Sequence, residues 1–437
     1  MKKTSANFYV NEKPTFGIIL SATIGSVIEW YDLFVYGSLI VILSHVFFPM
    51  TNYFISVLSS IGAFVAGAAV RPLGGLIFGS IGDKLGRKYS FTFTIIIMGS
   101  CSFLTGLLPT YSSIGIIAPI LLVILRIIQG LALGGEWPGA SIFLAESSPK
   151  NKIGYWTSYV QASATTGLLL ASLASYLSNL FLGYEDFLLW GWRIPFLFSS
   201  ILLIVGIVSR LRLSETPIFI ELIRRKEISN NPIKESLLDK NNLKLIMIII
   251  LIAGGSSVVW HTAQYISSIF MQSYLHLNFL IVTEIMILSF ALSIPFFIFF
   301  GWLSDKIGRF IILALGNLLF SIIVIPVYYL IPIFVIQKNY IGIFFLVFIQ
   351  IFLSSMTYGP LAAFMIEIFK SKIRYTSISI PYGIATGDIG DGSLLIVPIL
   401  GSILGSFYLG LIWSFLLPLI SFLILVLFRK SFEIKEN

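Results

Sequence analysis

Long apolar stretches, most of them 20 to 30 residues, alternate with short polar connections along almost the whole chain. A hydrocarbon core about 30 Å thick is crossed by roughly 20 helical residues, so each stretch is long enough to span a membrane. The pattern predicts twelve spans: 17–46, 54–80, 89–109, 114–143, 153–181, 191–210, 244–271, 280–304, 310–332, 340–368, 374–404 and 407–428. A barrel would need alternating segments of about ten residues, and the chain shows none. The predicted fold class is therefore an all-α integral membrane protein. The longest interruption, RLRLSETPIFIELIRRKEISNNPIKESLLDKNNL at 210–243, is of mixed charge and reads as a linker with one or two amphipathic helices. It divides the spans six and six, giving an N-terminal half, 1–209, and a C-terminal half, 244–437, that ends in a short tail.

Composition agrees: 57% of the 437 residues are hydrophobic and 11% charged, where soluble domains carry about a quarter charged. A net charge of +8 raises the question of nucleic acid, but the placement of the charges answers it. Of 28 Lys and Arg, 24 fall on one side of the predicted membrane; Arg193 and Lys338 fall on the other, and Arg71 and Arg126 lie within spans. That is the positive-inside distribution, which predicts a multi-pass cell-membrane protein with both termini cytoplasmic, and no nucleic-acid partner. The first span is too long for a cleavable signal and reads as a retained anchor. A single cysteine, Cys101, leaves no intrachain disulfide. No nucleophile–base pair or metal-ligand cluster stands out, so neither an enzyme nor a metal or organic cofactor is expected, and the chain is expected to act as a monomer.

The two predicted halves echo each other. GSIGDKLGRK at 79–88 matches GWLSDKIGRF at 301–310 with an offset of 222 residues, and ESSPKNKIG at 146–154 matches EIFKSKIR at 367–374 with an offset of 221. Parallel repeats of this kind point to alternating access, with substrate held between the halves near the midplane. The pattern G-x-x-x-D-K-x-G-R resembles the loop motif of the major facilitator superfamily. IEWYDLFVYG, RPLGGLIFGSIGD, RIIQGLALGGEWPGA, LSETPIF and IRYTSISIPYG resemble, in that order, its metabolite:proton symporter branch, which includes carriers of dicarboxylates, citrate, shikimate and proline or betaine. The resemblance implies the major facilitator fold and import of a small metabolite with protons. Where the branch has an Asn after the tyrosine of IPYG and a Phe-Gly-Gly-like run, this chain has Gly383 and Ile389-Gly390-Asp391. The motifs after spans six and twelve that mark sugar porters are not found, nor are the tail heptads of osmosensing betaine carriers.

An acid at the bilayer centre costs about 2.5–3.5 kcal/mol on insertion scales, so charges inside spans mark candidate sites. Glu29 and Asp32 share a face of span one with Gly25 and Tyr36, a stripe that reads as a cavity wall. A carboxylate that alternates between burial and a nearby cation can load and release a proton. Arg126 is the obvious counter-charge or a holder of substrate carboxylate, with Gln129 one turn on. Glu136, in GGEWPG, suits gating or helix packing, with proton transfer second. In span eleven Asp388 and Asp391 repeat the three-residue spacing among Gly383, Gly387, Gly390 and Gly392, which favour a bend or an unwound, ion-coordinating segment. The coupling ion is therefore expected to be a proton, with sodium open. Tyr36 of span one, Trp260, His261 and Gln264 of span seven, and Tyr358 of span ten are candidate substrate contacts, with a packing or hydrogen-bonding reading beside the last four.

The duplicated loops read as a cytoplasmic gate. Its residues are Gly79, Asp83 and Arg87 with Glu146, and Gly301, Asp305 and Arg309 with Glu367; the resemblance implies that they latch the halves in the outward-open state. The sequence thus predicts a proton-coupled importer of an organic acid or zwitterion. A facilitative or sugar-type carrier, an exporter and a transport-inactive sensor stand behind it in that order.

Overall fold

The computed structural model describes residues 16–211, 215, 217–225, 229 and 231–433, and all regular structure among them is helical. Among the described residues ten helices are long and apolar enough to cross a membrane, and two further pairs, each bent at a short break, raise the number to twelve if each pair is one span. In chain order, α1 (Phe16–Ser38) continues as Ile40–Phe47 after a 61° bend. It is followed by α2 (Tyr53–Lys84), α3 (Arg87–Leu107), α4 (Ile117–Glu146) and α5 (Ile153–Leu182). Next comes α6 (Arg193–Leu211), entered from Tyr184–Gly191 through a 53° bend. Beyond the linker lie α7 (Lys240–Tyr274), α8 (Phe279–Ile307), α9 (Arg309–Ile336), α10 (Tyr340–Ile368), α11 (Arg374–Ile403) and α12 (Ile412–Glu433). Large apolar side chains such as Leu73, Phe181, Ile336 and Leu427 are exposed on the outside, as a surface facing lipid tails requires.

The duplicated loops are shorter than the pattern suggests. α2 runs on through Asp83, and α8 through Asp305, so most of each motif is helical. The turn into the next helix falls on one glycine, Gly86 at φ 117° and Gly308 at φ 95°, a backbone region that a side chain strongly disfavours. From the linker, Glu215 of LSETPIF accepts a hydrogen bond from the Lys88 amide (3.2 Å), capping the first turn of α3. Two linker helices, Pro217–Arg225 and Pro232–Leu238, are described; of the expected linker, 212–214, 216, 226–228 and 230 lie outside the described residues.

Two seams position the site. α5 packs along α8, and α2 along α11. A Cβ on Gly301 would sit 2.4 Å from Ser158 Cβ, and one on Gly79 would sit 3.2 Å from Thr376 Cα, so both seams depend on backbone-close approach. The glycine-rich part of α11 neither bends sharply nor unwinds. It widens into a π-helix over Ile384–Asp391, and α7 has π segments at Thr262–Ile266 and Phe270–Tyr274. Such segments occur often at functional sites, because the extra residue per turn re-aims the side chains around it.

Candidate substrate cavity and cytoplasmic latch

A small cavity lies between α1, α2, α5, α7, α10 and α11. The centre of a water-sized sphere can range over about 20 Å³ of it, room for roughly one water and not for a metabolite. One wall is aromatic: Phe34 stacks on Trp30 (5.2 Å between ring centres) and on Trp260 (5.3 Å). Facing it is a charged cluster. Asp391 touches Arg71 through one carboxylate oxygen (Nη2–Oδ2 2.6 Å) and His261 through the other (Nε2–Oδ1 2.6 Å). His261 Nδ1 meets the Ser257 carbonyl oxygen at 2.7 Å, and Ser257 Oγ shares a hydrogen bond with the Tyr358 hydroxyl, also 2.7 Å. Arg71, His261 and Asp391 are all buried.

This arrangement gathers some of the candidates and separates others. Trp260, His261, Tyr358 and Asp391 border the cavity. Asp388 does not: Asp391 is buried and Asp388 is exposed on the outer face of α11. The expectation that the two acids share a face fails because i and i+3 are not aligned on a π-helix. Gln264 is buried away from the cavity lining, and among the described residues its amide has no hydrogen-bond partner.

The acidic stripe of α1 also needs correction. Trp30, Leu33 and Phe34 form its cavity face. Glu29, Asp32 and Tyr36, all fully buried, point instead into the bundle of the first six spans. There Gln129 donates to the Asp32 carbonyl oxygen (3.3 Å) and to Ser102 Oγ (3.1 Å), Tyr36 donates to the Ser60 carbonyl oxygen (2.9 Å), and Arg126 lies over the Tyr36 ring (4.6 Å). Arg126 Nη2 reaches Thr105 Oγ1 at 3.4 Å, while the Asp32 carboxylate lies beside Ser199 and Glu29. Helical rotation of about 100° per residue explains the split: positions 29, 32 and 36 share a face from which 30 and 34 are turned away, with 33 at the edge between the two.

Arg71 is the cavity residue that the sequence reading left without a role. The signal was present, since an Arg inside a span carries the same insertion cost that drew attention to Glu29 and Asp32.

Below the cavity the duplicated loops exchange caps. Asp83 accepts hydrogen bonds from Thr376 N (2.9 Å) and Oγ1 (2.7 Å) in the first turn of α11. Asp305 accepts from Gly154 N (2.8 Å) and Tyr155 N (2.7 Å) in the first turn of α5. Asp83 and Asp305 are 222 residues apart, and so are Gly154 and Thr376. Each carboxylate therefore meets the positive end of a helix from the other side of the linker. Arg309 forks onto Glu367 (2.7 and 2.6 Å) and also reaches Asp305 (2.9 Å), and Arg374 pairs with Glu146 (3.1 Å). The side chain of Arg87 lies outside the described residues.

Between latch and cavity, Trp137 of α4 stacks flat on Tyr382 of α11 (3.7 Å, 5°), and the Tyr375 hydroxyl donates to the Gly135 carbonyl oxygen. The GGEWPGA and RYTSISIPYG stretches, remote in sequence, thus form one contact, with buried Glu136 within it. At the opposite mouth the two halves meet through a 3.5 Å Tyr53–Ser273 contact, an edge-to-face Phe54–Tyr274 pair at 6.4 Å and a tilted Phe187–Phe279 pair at 5.7 Å.

Comparison with known proteins extends this picture. The family profile described as "Sugar (and other) transporter" matches residues 18–236. The proline/betaine transporter of Salmonella typhimurium is 34% identical over 84% of this chain and 74% of its own length. The shikimate transporter of Escherichia coli is 33% identical over 84% of this chain and 83% of its own. Among solved structures, the proton:xylose symporter XylE bound to 6-bromo-6-deoxy-D-glucose superposes with a TM-score of 0.73 at 19% identity, covering 95% of both chains.

Proposed function

The chain belongs to the sugar (and other) transporter family of the major facilitator superfamily, and from that premise we propose that it imports a small polar metabolite, an organic acid or zwitterion, together with protons. It is a multi-pass membrane carrier and not an enzyme. Transport proceeds by alternating access: the halves 1–209 and 244–437, joined by the linker 210–243, rock about the central cavity. The observation that carries the reading is the cavity with Arg71, Asp391 and His261 on one side and aromatic faces on the other. An arginine fork suits a carboxylate, and aromatic faces suit a cationic or apolar remainder. Relatives named for proline and betaine and for shikimate support that class.

The proton is favoured over sodium by the surroundings of Asp391. An arginine and a histidine within 2.6 Å leave it poorly placed to coordinate a metal cation. The distribution of Lys and Arg supports a cell-membrane location with both termini in the cytoplasm, and a cavity completed within one chain supports a working monomer without cofactor. Asp32 and Arg126 remain a second polar centre, off the cavity in this state.

The test is uptake by proteoliposomes of a panel of proline, glycine betaine, shikimate, dicarboxylates, tricarboxylates and sugars, with and without an imposed pH gradient. Gradient-driven accumulation of a carboxylate or zwitterion is expected. Sugar uptake indifferent to a protonophore would refute the reading.

A further inference from the structure

The hydrogen-bond partners of His261 fix where its protons lie. Nδ1 faces a backbone carbonyl at 2.7 Å; a carbonyl only accepts, so Nδ1 carries a hydrogen. Nε2 lies 2.6 Å from Asp391 Oδ1, a separation at which two bare lone pairs repel, so the pair is built to hold a proton between them. The pair is either imidazolium with carboxylate or neutral imidazole with carboxylic acid, and in both forms it holds one proton and no net charge. Arg71, on the other oxygen of Asp391, then gives the cavity a single net positive charge. Without the shared proton, Arg71 and Asp391 cancel and the cavity is neutral. The other titratable or charged groups around the pair are Tyr265 on α7, Tyr358 on α10, and Tyr382 and Asp388 on α11; Trp30 and Phe34 of α1 and Gln161 of α5 add no charge.

We propose that His261 and Asp391 together are the coupling site, that they load one proton, and that this proton frees Arg71 to take the substrate's carboxylate. The proposal rests on the proton-coupled reading above and adds its site, order and stoichiometry. The proton loads from outside and turns the cavity positive. The substrate carboxylate then replaces Asp391 on Arg71, and Asp391 keeps a partner in protonated His261. When the cavity opens to the cytoplasm, the proton leaves the pair, Asp391 reclaims Arg71, and the substrate is expelled. One proton moves per carboxylate, so a zwitterion carries net charge across the membrane and a monocarboxylate does not.

Linkage sets the sign. The substrate-bound state holds the extra proton, so affinity falls by about tenfold per pH unit above the titration of the empty pair and levels off below it. D391N imitates the loaded pair, because its amide donates to Nε2 and leaves Arg71 unopposed. H261Q imitates the unloaded pair.

The experiment uses full-length protein in proteoliposomes with radiolabelled L-proline, glycine betaine and shikimate, reading accumulation under an acid-outside gradient, exchange without a gradient, and binding against pH. Wild type should accumulate substrate. D391N should retain exchange, bind with no pH dependence and lose accumulation, while H261Q should bind weakly across neutral pH. Gradient-driven accumulation by D391N overturns the proposal and leaves proton coupling standing. A wild type that exchanges but never accumulates overturns the coupling reading itself. One arm needs no substrate: in histidine-labelled protein in lipid nanodiscs, ¹⁵N spectra recorded on the low-pH plateau of binding should show both His261 ring nitrogens hydrogen-bonded to protons. D391N should show an ordinary neutral ring, and a bare Nε2 in the wild type overturns the proposal.

Discussion

Replacing Asp83 with Asn tests the latch most directly. The carboxylate is 3% exposed and accepts two hydrogen bonds from Thr376 at 2.9 and 2.7 Å, at the positive end of α11. An amide keeps the shape but not the charge, and it turns one acceptor into a donor. Losing a charge-assisted hydrogen bond costs about 1.5–3 kcal/mol and losing the charge at a helix N-terminus about 0.3–1, together roughly 2–4 kcal/mol. The cost falls on the state in which Asp83 caps α11, which in the proposed orientation is the one closed to the cytoplasm. At about 1.4 kcal/mol per tenfold, the equilibrium should move roughly 30- to 700-fold towards the inward-open state. The assay places one reporter thiol in the cavity, Thr386→Cys with Cys101→Ser, and follows labelling by a membrane-impermeant maleimide in inside-out vesicles. Asp83→Asn should raise cytoplasmic labelling. Asp305→Asn should do the same through Gly154 and Tyr155. If both variants leave cytoplasmic labelling unchanged while remaining folded, the reciprocal caps do not hold the gate and the reasoning fails.

Trp137→Leu removes the stack on Tyr382; with such pairs worth about 0.5–1.5 kcal/mol beyond area, cytoplasmic labelling of the same reporter should rise about 2- to 12-fold. Gly301→Ala puts a methyl 2.4 Å from Ser158 Cβ, so α5 and α8 must separate; transport should collapse while the protein still reaches the membrane, as surface labelling would show. Gly86→Ala forces a side chain into φ 117° and should lower the melting temperature measurably, by on the order of 1–2 kcal/mol of stability; an unchanged melting curve would mean that the turn relaxes freely.

The extent to which the sequence could be read follows from what each signal measures. Span positions were legible because crossing a membrane demands long apolar runs, a requirement independent of neighbours. The short entry helix Tyr184–Asp186 was not, because it holds acids beside few apolar residues. The loop motifs were legible as a pair through their repeat, but that Asp83 serves α11 and Asp305 serves α5 is a fact about packing across the chain. His261 and Asp391 stood out because an ionisable group in a span is costly. Which acid faces the cavity did not, since rotation about α1 and the π geometry of α11 decide it, and an α-helical period applied to Asp388 and Asp391 gives the wrong face. Arg71 was noted only as a charge within a span and as the first residue of RPLGGLIFGSIGD, a stretch read for its family resemblance.

The reciprocal caps also bear on how such a chain can arise. Asp83 reaches a helix start 293 residues away, and Asp305 reaches one 151 residues away, yet the two contacts superimpose under a shift of 222 positions. That is the form of an isologous interface, in which patch i meets patch j and j meets i. A six-helix chain with one copy of the loop and one copy of the helix start could close its cytoplasmic face by pairing with itself. In that history gene fusion would have inherited the latch from a homodimer, and the linker's original task would have been to keep two already compatible partners together.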